Sequence, residues 1–187
     1  MKIRIIGYAG SGKTSLTTRL QEKYYIQGVS LDDYLKIKDK NQRYEAVNQR
    51  LNQLDSWIVE GVQVSNWTKE TFNQADLIVV LDYPLTVTQY RVFKRTRKQV
   101  LDSDRDFDQK KKSVKRMFKL FKWNNRFKKR LPTIKGNLYN QATKVMILEA
   151  PKDEKRLHQY IKKQLRLNKH KVERRQKQNA QNNIRRD

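Results

Sequence analysis

Hydrophobic positions in this chain come in short β-branched runs that alternate with longer stretches of helical period. Ile3, Ile5 and Ile6 form the first run, which stops at Gly7. Lys13–Glu22 follows with Leu16 and Leu20 on one face, the signature of a helix. Ile26–Leu31 predicts a second strand ending at Asp32-Asp33, and 43–54 carries Tyr44, Val47, Leu51 and Leu54 at helical spacing. Trp57–Val59 and Leu77–Leu81 predict two buried strands, ending at Glu60-Gly61 and Asp82-Tyr83-Pro84. Pro84 suits a helix start, and the helix it opens runs to about Gln99. Asp102–Asp108 reads as a loop, and Lys110–Lys129 as a basic amphipathic helix that Pro132 and Gly136 interrupt. Phe118 and Phe121 are expected to face the core there. The alternative is a nucleic-acid-binding face, in which Phe118, Phe121, Trp123 and Phe127 stack bases between lysines. Val145–Leu148 predicts the last strand and Asp153–Leu167 the last helix. Strands alternating with helices define an α/β domain with a mainly parallel sheet.

The expected organisation is one domain over 1–167 and a basic tail over 168–187. The tail offers almost nothing to bury and is expected to be disordered. A compact chain of 187 residues buries roughly 70% of its unfolded surface, enough for a core without crosslinks. It contains no cysteine, which excludes disulfides, thiolate metal sites and a cysteine nucleophile. No apolar run approaches the ~20 residues of a membrane span. The charged start runs straight into a strand, leaving no room for a secretory leader, so the expected compartment is the cytoplasm. Charge adds an asymmetry. Residues 1–90 carry 11 Lys/Arg against 10 Asp/Glu, whereas 91–187 carry 32 against 9. The second part expects anions, whether nucleotide phosphates, nucleic acid or an acidic surface.

Gly7-Tyr8-Ala9-Gly10-Ser11-Gly12-Lys13-Thr14 matches G-x-x-x-x-G-K-[ST] at every fixed position, between a strand and a helix. The glycines permit a tight loop whose N–H groups point inward at phosphate oxygens, and the helix N-terminus adds its dipole. Lys13 reaches the β- and γ-phosphates, and the Thr14 hydroxyl binds Mg²⁺. Gly7, Gly10, Ser11, Gly12, Lys13, Thr14 and Ser15 are therefore the candidate nucleotide-binding residues. Acids end three predicted strands, where ligands of such sheets collect. Asp32, or else Asp33, is the candidate carboxylate for an acceptor hydroxyl; the alternative is that either caps the next helix. Glu60 is a candidate for ordering Mg²⁺, with Thr14. Asp82 is expected to be a turn or cap residue.

These segments resemble the P-loop kinases of the adenylate kinase-related group, in particular the subgroup labelled DNA topology-modulation proteins. The similarity rests on GYAGSGKT, Leu31-Asp32, Trp57-Ile58-Val59-Glu60-Gly61, Ala75-Asp76 leading into LIVVLDYP, Tyr90–Arg97, and FKWNNRFKKRLP, over about residues 1–165. It implies a five-stranded parallel sheet in the order 2-3-1-4-5, flanked by helices, with ATP as phosphoryl donor. It also implies an arginine-bearing lid, here about 91–131, in which Arg91, Arg95 and Arg97 neutralise the transferring phosphoryl group; Arg105 is a weaker candidate. The subgroup usually has Asp-Gly-Asn-Tyr after strand three, where this chain has Glu60-Gly61-Val62. That segment and Leu31-Asp32-Asp33-Tyr34 are instead similar to uridine kinase-like proteins. The expected activity is transfer of a phosphoryl group from ATP to a small nucleotide, nucleoside or related metabolite. The alternative is a nucleic-acid-associated ATP-binding protein or a polynucleotide 5′-kinase, with nucleic acid held nonspecifically by the basic C-terminal half.

Overall fold

Five short strands and six α-helices follow one another in the computed structural model, which describes residues 1–140 and 143–184. They are β1 (Lys2–Gly7), α1 (Lys13–Tyr24), β2 (Gln27–Ser30), α2 (Lys40–Asn52), β3 (Trp57–Glu60), α3 (Lys69–Asn73), β4 (Leu77–Leu81), α4 (Leu85–Leu101), α5 (Phe107–Tyr139), β5 (Lys144–Leu148) and α6 (Glu154–Ile184). Short 3₁₀ helices cover Leu31–Lys36, Asn66–Thr68 and Pro151–Asp153. The strands form one sheet in the order β2-β3-β1-β4-β5, parallel throughout. Parallel sheets need cover on both faces, which is why β3 and β4 are buried along their whole length. One face packs Ile3, Ile5, Ile58 and Val79 with Leu16, Leu20, Leu157 and Ile161 of α1 and α6. The other packs Ile6, Val59, Ile78 and Val80 with Val47 and Leu51 of α2, Phe72 of α3, and Phe127, Leu131, Ile134 and Leu138 of α5.

Two helices run past their expected ends. α5 continues through Pro132 and Gly136. A proline inside a helix costs about 3 kcal/mol. Burial of Leu131, Ile134 and Leu138 on the same face, at about 1.5–3 kcal/mol each, outweighs that cost. The buried stripe of α5 is Ser113, Met117, Asn124, Phe127, Leu131, Ile134 and Leu138. It leaves Phe118 62% exposed, against the expectation that Phe118 faces the core, and Phe121 half-buried. α6 likewise does not end at Leu167. It carries the expected disordered tail as helix to Ile184, because no glycine or proline interrupts a run rich in Lys, Arg and Gln. Residues 185–187 of that tail lie outside the described residues. Among the described residues, no helix is long and apolar enough to cross a membrane.

Candidate active site

The loop from Gly7 to Lys13 joins central strand β1 to α1 at the carboxyl edge of the sheet. Gly10 (φ 82°) and Gly12 (φ 94°) take left-handed backbone conformations, which L side chains rarely adopt. At Gly10 space forbids a side chain as well. A Cβ there would lie 2.6 Å from the Thr88 carbonyl oxygen and 2.8 Å from Val92 Cγ2, so the loop rests directly on α4. Beside it lies a cavity of about 510 Å³. Gly10 to Ser15 form one wall, and Arg19, Tyr83, Arg91, Arg95, Pro151 and Glu154 contribute to the others.

Lys13 is buried, and its ammonium donates to the carbonyls of Gly7 at 3.2 Å and Tyr8 at 2.8 Å. Burial pushes its pKa down to about 8; Glu60 and Asp32 pull it back up, while Arg4 and Arg95 press it further down. Glu60, 4% exposed at the end of β3, accepts the Thr14 hydroxyl and the Ser30 hydroxyl at the same oxygen, both at 3.0 Å. The expected Mg²⁺ pair, Thr14 and Glu60, is thus in direct contact. Hard oxygen donors of this kind suit Mg²⁺, which takes one or two protein ligands and completes its shell with phosphate and water. Among the described residues no group of three or more Asp, Glu, His or Cys is placed to hold a metal ion.

Asp32 lies exposed in the 3₁₀ turn after β2, where its Oδ1 accepts Gln63 Nε2 at 2.7 Å. Neither Asp32 nor Asp33 lines the cavity beside the loop; Asp33 faces a separate cleft with Tyr34, Lys36 and Arg50. Neither caps the next α-helix: Asp39 does, accepting Asn41 N–H at 2.9 Å and Gln42 N–H at 2.8 Å. Asp82 is not a cap either. Its carboxylate pairs with the Lys135 ammonium and accepts the Tyr8 hydroxyl at 3.4 Å, tying β4 to α5 and the loop. Burial, together with the Asp82 carboxylate beside it, pushes the Tyr8 hydroxyl up to about 12.

Arg91 and Arg95 share the face of α4 that lines the cavity, and Arg91 also donates to the Ser11 carbonyl at 3.2 Å and lies over the Tyr83 ring. Arg97 is not brought to this cavity. It lines a separate cleft with Lys94, Lys98 and Leu101. Arg105 pairs with Asp102 at 3.5 Å and donates to Ser113.

Sequence reasoning missed several contributors. Arg19 and Glu154, bonded at 2.7 Å across the cavity rim, come from helices distant in sequence. Arg4 is fully buried in β1, donating to the carbonyls of Ile5, Val59 and Gln63, and burial lowers its pKa to about 9. Asn124, also fully buried, bonds Ala9 of the loop. Its signal was a single amide within the apolar stripe of α5.

No family model matches this sequence, and no curated protein does. Among solved structures it is similar to shikimate kinase from Bacteroides thetaiotaomicron, at 18% identity and a TM-score of 0.53, over 89% of this chain and 98% of that one. It is similar also to deoxyadenosine kinase from M. mycoides with bound dATP, at 16% identity and a TM-score of 0.50, over 89% of this chain and all of that one. The fold is that of the P-loop kinases: a five-stranded parallel sheet flanked by helices.

Proposed function

We propose that this chain is an ATP-dependent phosphotransferase whose acceptor is a small nucleotide, nucleoside or related metabolite. The observation that carries this reading is the contact of Thr14 with buried Glu60, beside a buried Lys13, at the mouth of the phosphate loop. Mg²⁺ held at Thr14 and Glu60 would supply charge neutralisation on the β- and γ-phosphates. Lys13 holds the same phosphates from within the loop, and Arg91 and Arg95 hold the transferring group from α4. Asp32, oriented by Gln63 at one oxygen, uses the other to accept the proton of the acceptor hydroxyl as its oxygen bonds to the γ-phosphorus and ADP departs. The two solved kinases named above support a small acceptor by analogy of fold only.

A second reading, ATP-linked association with nucleic acid or a polynucleotide 5′-kinase, is favoured by one feature. The outer side of α4 carries Lys94, Arg97 and Lys98 around an open cleft of about 580 Å³, with Tyr90 and Phe93 exposed nearby. The similarity to the topology-modulation subgroup belongs with it. A panel of nucleosides, nucleotides and 5′-hydroxyl oligonucleotides, assayed with labelled ATP, separates the two. Lys13→Ala should lose most Mg-ATP binding while remaining folded. Asp32→Asn should keep ATP affinity and lose transfer by about a hundredfold. Equal ATP affinity in wild type and Lys13→Ala, measured by calorimetry, would remove the assignment of the loop.

A further inference from the structure

We infer that Asn124 is a positioning residue for the phosphate loop: from helix α5, its side chain holds the two peptide units that flank Ala9 in the conformation that aims the loop's remaining N–H groups at phosphate. The inference rests on the proposed triphosphate site. Ala9 N–H donates to Asn124 Oδ1 at 2.9 Å, and Asn124 Nδ2 donates to the Ala9 carbonyl at 3.0 Å. One buried amide therefore satisfies both polar groups of one loop residue, a reciprocal pair that fixes the two peptide units flanking the Ala9 Cα, and with them its φ and ψ. The contact is reinforced one turn further along α5. The Tyr8 ring meets Phe127 edge-on at 5.2 Å, Trp123 stacks on Phe127 at 5.0 Å, and the Tyr8 hydroxyl reaches the Asp82–Lys135 pair.

These contacts divide the loop. The N–H of Ala9 is taken by Asn124 and that of Ser11 by the Tyr8 carbonyl. Among the described residues, the N–H groups of Gly10, Gly12 and Lys13 have no acceptor, so they are available to an anion. Gly10 and Gly12 are also the flexible members, and a glycine-rich loop without an anchor at Ala9 would spread over many conformations. Apparent affinity falls by the fraction of protein whose loop is competent to bind. Losing both hydrogen bonds lowers that fraction by about tenfold or more.

The test uses Mg-tripolyphosphate, which reports on the loop without a base, and calorimetry on the full chain. Asn124→Leu keeps the volume and deletes both bonds; its dissociation constant should rise about tenfold or more. Ile134→Val, in the same buried stripe but clear of the loop, should lower thermal stability and leave that constant unchanged, which separates positioning from general loosening. Hydrogen exchange on the wild type needs no variant, and so decides the matter even if Asn124→Leu fails to fold. Ala9 N–H should be protected without ligand and gain nothing from it, while Gly12 and Lys13 become protected only with it. Equal affinity in Asn124→Leu, or an Ala9 amide that exchanges freely until ligand is added, overturns the clasp and leaves the proposed function standing. Failure of the wild type to bind Mg-tripolyphosphate and Mg-ATP overturns both.

Discussion

Lys13 illustrates how burial tunes a single group for its task. Among the described residues its ammonium has only backbone carbonyls as hydrogen-bond partners, and desolvation brings its pKa down to about 8 in spite of the opposing fields of Glu60 and Asp32. In the unfolded chain the same lysine titrates near 10.4. Between these values the unfolded state binds more protons than the folded one, so stability contributed by this residue rises with pH from about 8 to about 10.4. Nucleotide binding has the opposite sign. A phosphate needs the charged ammonium, so above pH 8 binding must take up a proton. Mg-ATP affinity should therefore hold steady up to about pH 8 and weaken by at most about tenfold per pH unit above it. Lys13→Met should bind more weakly and lose the inflection. Calorimetry at pH 7, 8, 9 and 9.5 checks this; a flat profile in the wild type would mean that Lys13 stays charged throughout. Arg4, the neighbouring buried cation, was not legible in the sequence. Its place between Ile3 and Ile5 suggests a strand with one wet face, whereas α3 covers that face and brings the Phe72 ring 4.9 Å from the guanidinium.

At the scale of elements, spacing decides which lid arginines can act together. Arg91 and Arg95 stand four apart and project from one side of α4, whereas Arg97 is six positions from Arg91, about 240° around the axis. The cavity linings agree, with Arg91 and Arg95 beside the phosphate loop and Arg97 beside Lys94 and Lys98. Arg91→Ala should lower kcat on a small acceptor by about a hundredfold, as for loss of a charge-stabilising donor, and Arg97→Ala by less than about threefold. Comparable losses in the two variants would bring Arg97 into the catalytic constellation. The strands and the phosphate loop were legible because each is a local pattern, and Thr14 and Glu60 were each legible at a loop or strand end, whereas their contact joins residues 46 apart. α5 was legible only in part. Proline and glycine are local signals for an interruption, while the burial of Leu131, Ile134 and Leu138 that overrides them is a tertiary fact. The same holds for Asp82: its position after β4 reads as a turn, but its partners, Lys135 and Tyr8, come from elements that only folding brings near. The sequence put Asp32 ahead of Asp33, but the bond from Gln63 to Asp32 and the separate cleft of Asp33 depend on the folded turn.

Across the whole molecule, charge and burial are distributed differently. The buried core draws on all five strands and on all the helices except α4, which adds only Val92 beside the loop, yet residues 91–187 hold 32 of the 43 Lys/Arg. Much of that charge faces water on α5 and on the outer part of α6. Leu157 and Ile161 anchor α6 in the core, but Leu167, Asn168, Lys169, His170 and Lys171 are all exposed. Truncation after Leu167 should therefore leave small-acceptor turnover within about twofold of the full chain, because the described side chains it deletes touch neither the core nor the cavity. Polyanion binding is the property it should change. The deletion removes seven Lys/Arg against two acids. Each lost contact to a single strand flattens the dependence of log affinity on log salt by about 0.7, so the slope should become shallower by at most about 5. Turnover and oligonucleotide binding, measured on both proteins at 50 and 200 mM salt, test the two expectations together. A folded, truncated protein that has lost small-acceptor turnover would make the outer part of α6 a component of the catalytic apparatus, and an unchanged salt slope would confine polyanion contacts to α4 and α5.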